Sequence, residues 1–157
     1  MAWNTELPTL LRTLIGDLDA TSYTTDRLKQ ILVVAAFQVL QELTFEQTYV
    51  ADFSAITLAP DPTVDPKDES LSNLMCLKAA AIMDRNSAML AVRRAVSLRD
   101  GSSAIDLRGQ AEGWLKLLDK GWGAVYDQAK LEYQLGQVPV AGRAIMTPFR
   151  TYMQGRN

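Results

Sequence analysis

The chain has 157 residues, 48% hydrophobic and 22% charged, with a net charge of −2. That is one domain with a core of its own, without the Lys and Arg excess that general nucleic-acid affinity requires. It contains no histidine, which excludes His triads, His proton shuttles and His metal ligands. Its single cysteine, Cys76, can form no internal disulfide and has no second thiol with which to share a zinc.

The charge is divided along the chain. Residues 1–70 carry 4 basic and 11 acidic side chains, a net −7, and residues 71–157 carry 12 and 7, a net +5. Such asymmetry can orient subunits or partners head to tail; two differently charged solvated faces are the plainer reading. No stretch approaches the roughly 18 apolar residues of a membrane helix. The opening "MAWNTELPTLL" lacks the basic-then-apolar order of a secretion signal, so a protein made and kept in a cytoplasm is expected.

"NTELPTLLRTLIGD" predicts a short first helix, capped by Asn4 or Thr5, with Pro8 in its first turn and Gly16 at its end. Leu7, Leu10, Leu11, Leu14 and Ile15 recur at helical spacing. Thr24 or Thr25 can cap the second helix, "DRLKQILVVAAFQVLQEL", which is apolar over more than half its circumference. A helix of that kind has neighbours on more than one side, and another subunit is a natural candidate. "TFEQTYVADFSAITLAP" is rich in β-formers and predicts one or two short extended segments. "PDPTVDPKDES", with three prolines in its first seven residues, is a turn-rich loop.

The third helix runs through "DESLSNLMCLKAAAIMDRNSAML" from a cap at Asp68 or Ser70, with Cys76 as a buried, inert thiol. "AVRRAVSLRD" fits either a continuation of that helix or a strand; Asp100-Gly101, followed by "SAIDL", favours a β-hairpin near 92–107. "LRGQAEGWLKLLDKGWGAVYDQAKLEYQLG" predicts a long final helix with the stripe Ala111, Trp114, Leu118, Trp122, Val125, Ala129, widened by Leu115, Tyr126 and Tyr133. The remainder, "QVPVAGRAIMTPFRTYMQGRN", has two prolines, three arginines and no acid. It is too apolar for a simple linker and too broken for a long helix, so a segment that orders on a partner is expected. The fold class is therefore mainly α: a small bundle of about four helices with a short β-hairpin or extended arm and an extended C-terminal tail.

Chemical readings fail one after another. "DLDATSYTTDRL" opens like a calcium loop, but Ser22 stands where glycine is required and Leu28 where a bidentate glutamate must close it. "GWGAVY" (121–126) has half a dinucleotide fingerprint, with Tyr126 in place of the last glycine and a helical stripe around it. Its glycines, with Gly113, read instead as places where another backbone comes close. Asp61, Asp65, Asp68 and Glu69 read as solvated acids rather than metal ligands. Ser102 and Ser103 have no base, and Gly101 is in no Walker loop. No catalytic residue, cofactor site, metal site or small-molecule substrate is expected, and the chain does not read as an enzyme. Arg93, Arg94, Arg99 and Arg108 could meet phosphate, but bridges to a neighbour's acids suit the charge split better.

"LPTLLRTLIGDLDATSYTTDRLKQILVVAAFQVLQE" resembles the opening of the head-to-tail connector (adaptor) proteins of tailed bacteriophages. In these a short "LR-x-LIGD" helix leads through a "YTD-x-RL" cap into an alanine-rich helix. "ITLAPDPTVD", "LMCLKAAAIM" and "LRDGSSAIDLRGQAEGWLKLLDKGWGAVYDQAKLEY" follow in the family's order, so the resemblance spans roughly residues 7–135. It implies a helical connector domain over 1–136 and a docking tail over 137–157. It also implies a structural virion protein of the neck, at the head–tail junction, assembled in the host bacterial cytoplasm. Such subunits form a homo-oligomeric ring, commonly of twelve copies, beneath the portal protein, and meet a stopper, tail or tail-terminator protein on the other face. DNA passes through the lumen as non-specific cargo, and no membrane is involved. The expected interface residues are Arg99, Asp100, Gly101, Ser102, Ser103 and Arg108 in the hairpin, with Arg143, Phe149, Arg150 and Tyr152 in the tail. Another neck role (head closure or tail completion) and a small helical DNA-binding regulator are the alternatives.

Overall fold

The computed structural model describes residues 2–64, 66–97, 113 and 120–137. Among them are four helices, α1 (Trp3–Ile15), α2 (Thr25–Glu42), α3 (Glu69–Ser97) and α4 (Trp122–Gln137), and two short strands, β1 (Val50–Asp52) and β2 (Thr57–Ala59). The described residues are mainly helical, as the composition and periodicity predict, and their one small antiparallel hairpin falls where short extended segments, not a hairpin, are expected.

α1 begins earlier than its sequence suggests. Neither Asn4 nor Thr5 caps it; Ala2 holds the cap position and has no side chain with which to do so. The cap comes from 58 residues away: the Trp3 N–H donates to the Asp61 carboxylate at 3.0 and 3.3 Å. A carboxylate there satisfies an orphan donor and suits the positive end of the helix. Pro8 consequently sits beyond the first turn, inside the helix. Gly16 ends α1 as expected, in the left-handed conformation (φ 74°) that glycine adopts without steric cost.

Thr24 caps α2 by accepting the Arg27 N–H at 3.3 Å. Leu28, Ile31, Leu32, Val33, Ala35, Ala36 and Val39 are buried. The neighbours that cover this broad apolar surface belong to the chain itself, since α1, α3, β1 and β2 all pack on α2. The hairpin pairs Val50 with Ala59, Ala51 with Leu58 and Asp52 with Thr57. Its turn is held by Asp52 Oδ1, which accepts from the Ser54 N–H and hydroxyl and from the Ala55 N–H at 2.7–3.1 Å.

α3 is the central element, packed on α1, α2 and α4. Asp68 caps it by accepting the Leu71 N–H at 2.9 Å, and a second Asp68 oxygen accepts the Tyr49 hydroxyl at 3.0 Å. Asp61 likewise accepts the Thr63 N–H and hydroxyl. Of the loop acids, Asp61 and Asp68 are thus half-buried caps rather than solvated charges, whereas Glu69 is exposed. Cys76 is 3% exposed and faces the Leu7 carbonyl, and burial pushes its thiol up to about 12.

Two expectations need correcting. α3 continues to Ser97, so residues 92–97, expected as the first strand of a hairpin, are helical. Their alternation is imperfect, and no glycine or proline interrupts the run before Gly101, so propagating an existing helix costs less than starting a ladder. The rest of that hairpin, 98–107, lies outside the described residues. The final helix is also not continuous: Gly121 is a bend, and α4 starts at Trp122, whose N–H lies 3.4 Å from Asp84 of α3. The inward face of α4 centres on buried Tyr126, while Val125 is exposed. A side chain at Gly113 would meet nothing within 4 Å among the described residues.

Replacing Asp61 with alanine removes the remote cap of α1 and the Thr63 turn together. The expected loss is about 1 kcal/mol, read as a lower urea midpoint at constant m; an unchanged midpoint would show that the cap contributes nothing.

Candidate interaction surface

Two polar clusters set the geometry of the bundle. In the first, Asp17 follows the end of α1 and its carboxylate gathers three donors: Arg12 Nη1 at 2.6 Å, the Ser22 N–H at 3.0 Å and the Tyr23 N–H at 3.2 Å. Arg12 Nη2 reaches the Tyr23 carbonyl at 2.9 Å and the Thr25 hydroxyl at 3.3 Å. The Ser22 and Tyr23 amides, together with Arg12, hold the Asp17 carboxyl below its usual range against the effect of burial. This is the segment that opens like a calcium loop; its first acid instead ties α1 to α2.

In the second cluster, Glu42 at the end of α2 accepts from Lys78 of α3 at 2.7 Å, from Lys130 of α4 at 2.7 Å and from the Tyr126 hydroxyl at 2.9 Å. The Lys78 ammonium also lies 4.3 Å from the centre of the Tyr126 ring, a cation–π distance. Burial pushes the Glu42 carboxyl up, but the bonds from Lys130, Lys78 and Tyr126 outweigh it and hold it at about 2. Burial and the bond to Glu42 push the Tyr126 phenol far above its usual range. A carboxylate ionised at every physiological pH and saturated by donors has no proton to exchange, so it works as a strut joining three helices.

Nothing else among the described residues calls for a ligand. Every buried side-chain nitrogen and oxygen there has a hydrogen-bond partner. No group of three or more Cys, Asp and Glu there is placed to hold a metal ion. No described helix is long and apolar enough to cross a membrane.

What the bundle does present is apolar surface. On α2, Val34 and Phe37 remain exposed, and the Phe37 ring packs edge-to-face on Phe53 of the hairpin turn at 5.2 Å. Val50 on β1 is also exposed, and on α4 so are Val125, Leu131 and Leu135. A third apolar region is a groove between α1 and α3. Scattered exposed apolar residues are ordinary, but contiguous ones mark candidate contact sites. These patches were legible only in part: α2 reads as apolar nearly all round, yet which two residues the chain leaves uncovered depends on where the hairpin lands.

The ten residues expected at interfaces, Arg99, Asp100, Gly101, Ser102, Ser103 and Arg108 with Arg143, Phe149, Arg150 and Tyr152, all lie outside the described residues. Sequence reasoning missed the Glu42 node, because Glu42, Lys78, Tyr126 and Lys130 come from three separate helices and form no spacing motif. Compared with protein-family models, curated proteins and solved structures, the chain matches none.

Glu42→Gln leaves two ammonium groups without their anion. The expected cost is about 1–2 kcal/mol, the range for hydrogen bonds to charged groups reduced for partial exposure. Because the Glu42 pKa is depressed in the fold, its contribution is complete above the ordinary carboxylate range and is lost as pH falls towards about 2. Thermal melts between pH 7 and pH 2 should therefore show a smaller acid-induced fall for Glu42→Gln than for the wild type; parallel curves would show that the strut is not the titrating element.

Proposed function

We propose that the chain is a structural subunit of the neck of a tailed bacteriophage, a head-to-tail connector (adaptor). In this reading copies assemble into a ring, commonly of twelve, beneath the portal protein. The ring joins the DNA-filled head to the tail or stopper and leaves a channel through which DNA passes without being read. The role is mechanical rather than catalytic.

One observation supports the reading. Arg12 and Asp17 of "LRTLIGD" and Tyr23 and Thr24 of "YTTDRL", all within the stretch that opens the resemblance, form a single folded unit. Arg12 and Asp17 clamp the backbone at Tyr23, and Thr24 then caps α2. The surface supports the same reading. The described residues leave apolar strips on α2 with the hairpin, on α4 and beside α1, and a subunit with two ring neighbours and two axial partners needs several contact faces. The acidic balance suits a lumen that must let DNA slide, since phosphate binding by Lys and Arg would retard it.

Negative-stain microscopy and native mass spectrometry, alone and with the cognate portal, test this directly. Rings, free or seated on the portal, are expected; a monomer that binds no portal would end the connector reading. Reversing Arg99 and Arg108 together to glutamate should raise the concentration needed for assembly by roughly tenfold or more, with the helical circular dichroism unchanged. Unaltered assembly would remove those two arginines from the joint.

A further inference from the structure

We propose that the outward stripe of α2 in one copy of the chain packs, head to tail, on the outward stripe of α4 in a second copy. Helical spacing defines both stripes. Leu28, Leu32, Ala35 and Val39 turn one face of α2 into the core. Gln30, Val34, Phe37 and Gln41 share the far face, and all four are exposed. On α4, Trp122, Tyr126, Ala129 and Tyr133 pack on the core. Its far face carries Ala124, Gln128, Leu131 and Leu135, again all exposed.

The two stripes fit each other. Each steps by 4, 3 and 4 residues, the spacing with which two helices interlock at a crossing angle of about 20°. Each rises about 16 Å from its first residue to its last. Neither contains a charged side chain, so bringing them together strands no ion. Val34 and Phe37 supply the apolar middle of one, Leu131 and Leu135 the apolar part of the other, and the exposed Phe53 ring, edge-to-face on Phe37, widens the first.

Charges at the ends select the direction. Arg27 lies one step before Gln30 on the same stripe, its guanidinium 3.4 Å from the Gln30 amide oxygen. In a parallel pairing it would come level with Lys120, an exposed cation just before α4. In an antiparallel pairing it lies past Leu135, at the C-terminal end of α4. That end has no basic residue in its last turn, and a cation is favoured there by the helix dipole. Lys120 then meets the end of the partner's α2, which also lacks a basic residue in its last turn and is followed by the exposed Glu46. In this register Gln30 faces Leu135, Val34 faces Leu131, Phe37 faces Gln128 and Gln41 faces Ala124. Every copy carries one stripe of each kind, so the contact repeats from copy to copy and closes into a ring where its rotation allows. The inference rests on these exposed faces and not on the connector reading. Rings that ignore a broken α2 stripe would end it and leave the connector standing; open head-to-tail chains that bind no portal would do the reverse.

Complementation in the full chain tests it, because a contact between unlike faces has two halves that can be disabled separately. Phe37→Asp breaks the α2 half and Leu131→Asp the α4 half; both positions are exposed, so helical circular dichroism should match the wild type. In sedimentation velocity the wild type should associate beyond the dimer. Each variant alone should need at least about tenfold higher concentration to associate, whereas an equimolar mixture of the two should give a one-to-one dimer and nothing larger. Disulfide trapping gives a second readout that needs no charged variant. A chain with Gln30→Cys should link to a chain with Leu135→Cys faster than to one with Ala124→Cys, while Cys76 stays buried and does not compete. Wild-type association by either charged variant, a mixture that behaves as its separate parts, faster linking to Ala124→Cys, or a wild type monomeric up to about 1 mM would overturn the proposal.

Discussion

The structure depends on how closely α2 and α3 can approach. Ala35 and Ala36 on α2 and Ala79 and Ala80 on α3 are completely buried. Such small side chains leave room for neighbouring helices to come close, and α2 and α3 pack on each other. Leu28, Leu32, Val39, Leu71 and Met75 belong to the same core. α1 and the hairpin are laid over it, because α2 is too apolar to leave any broad face wet. α4 is attached differently. Of its described side chains only Tyr126 is fully buried, with Trp122, Ala129 and Tyr133 packed partly on the core, and Glu42 reaches Lys130 and Tyr126 while Lys78 holds the same carboxylate from α3.

The acids of the first half of the chain acquire a second meaning in this light. Asp17, Glu42, Asp52, Asp61 and Asp68 each hold a turn, a helix end or an inter-helix strut. Five of the eleven acids behind the net −7 are therefore committed to internal bonds and are not free to pair with a neighbour's arginines. The charge split remains real as a long-range field, which depends on summed charge rather than on free partners. As a set of subunit contacts it is weaker than counting suggests.

The absence of histidine and the lone cysteine narrow the chemistry from the start, and the described residues contain no unsatisfied buried polar group that would reopen it. What the surface offers is apolar: the Phe37–Phe53 pair, the outer side of α4 and the α1–α3 groove. Among the described residues, acids serve as caps and struts while several aromatic and leucine side chains stay in solvent.

Much of this was legible in the residues themselves, wherever the controlling interaction is local. Gly16 ends α1 because glycine reaches positive φ without steric cost; Thr24 and Asp68 start helices because their oxygens meet amides three residues on. Alternation around Val50 and Leu58 gives strands, and alanine-rich periodicity gives the central helix. Tertiary structure decided whatever depends on a partner distant in sequence. Trp3 begins a helix because Asp61, 58 residues away, caps it, and no local signal marks that site. The bend at Gly121 goes with an N–H of α4 placed beside Asp84, which a one-dimensional stripe cannot display. The Glu42 node requires three helices to converge, and convergence is a property of packing. Composition and pattern therefore determined where most of the described helices lie and that histidine and paired-thiol chemistry are excluded; only the folded chain decided where those helices stop, which acids are tied up inside, and which apolar residues stay exposed.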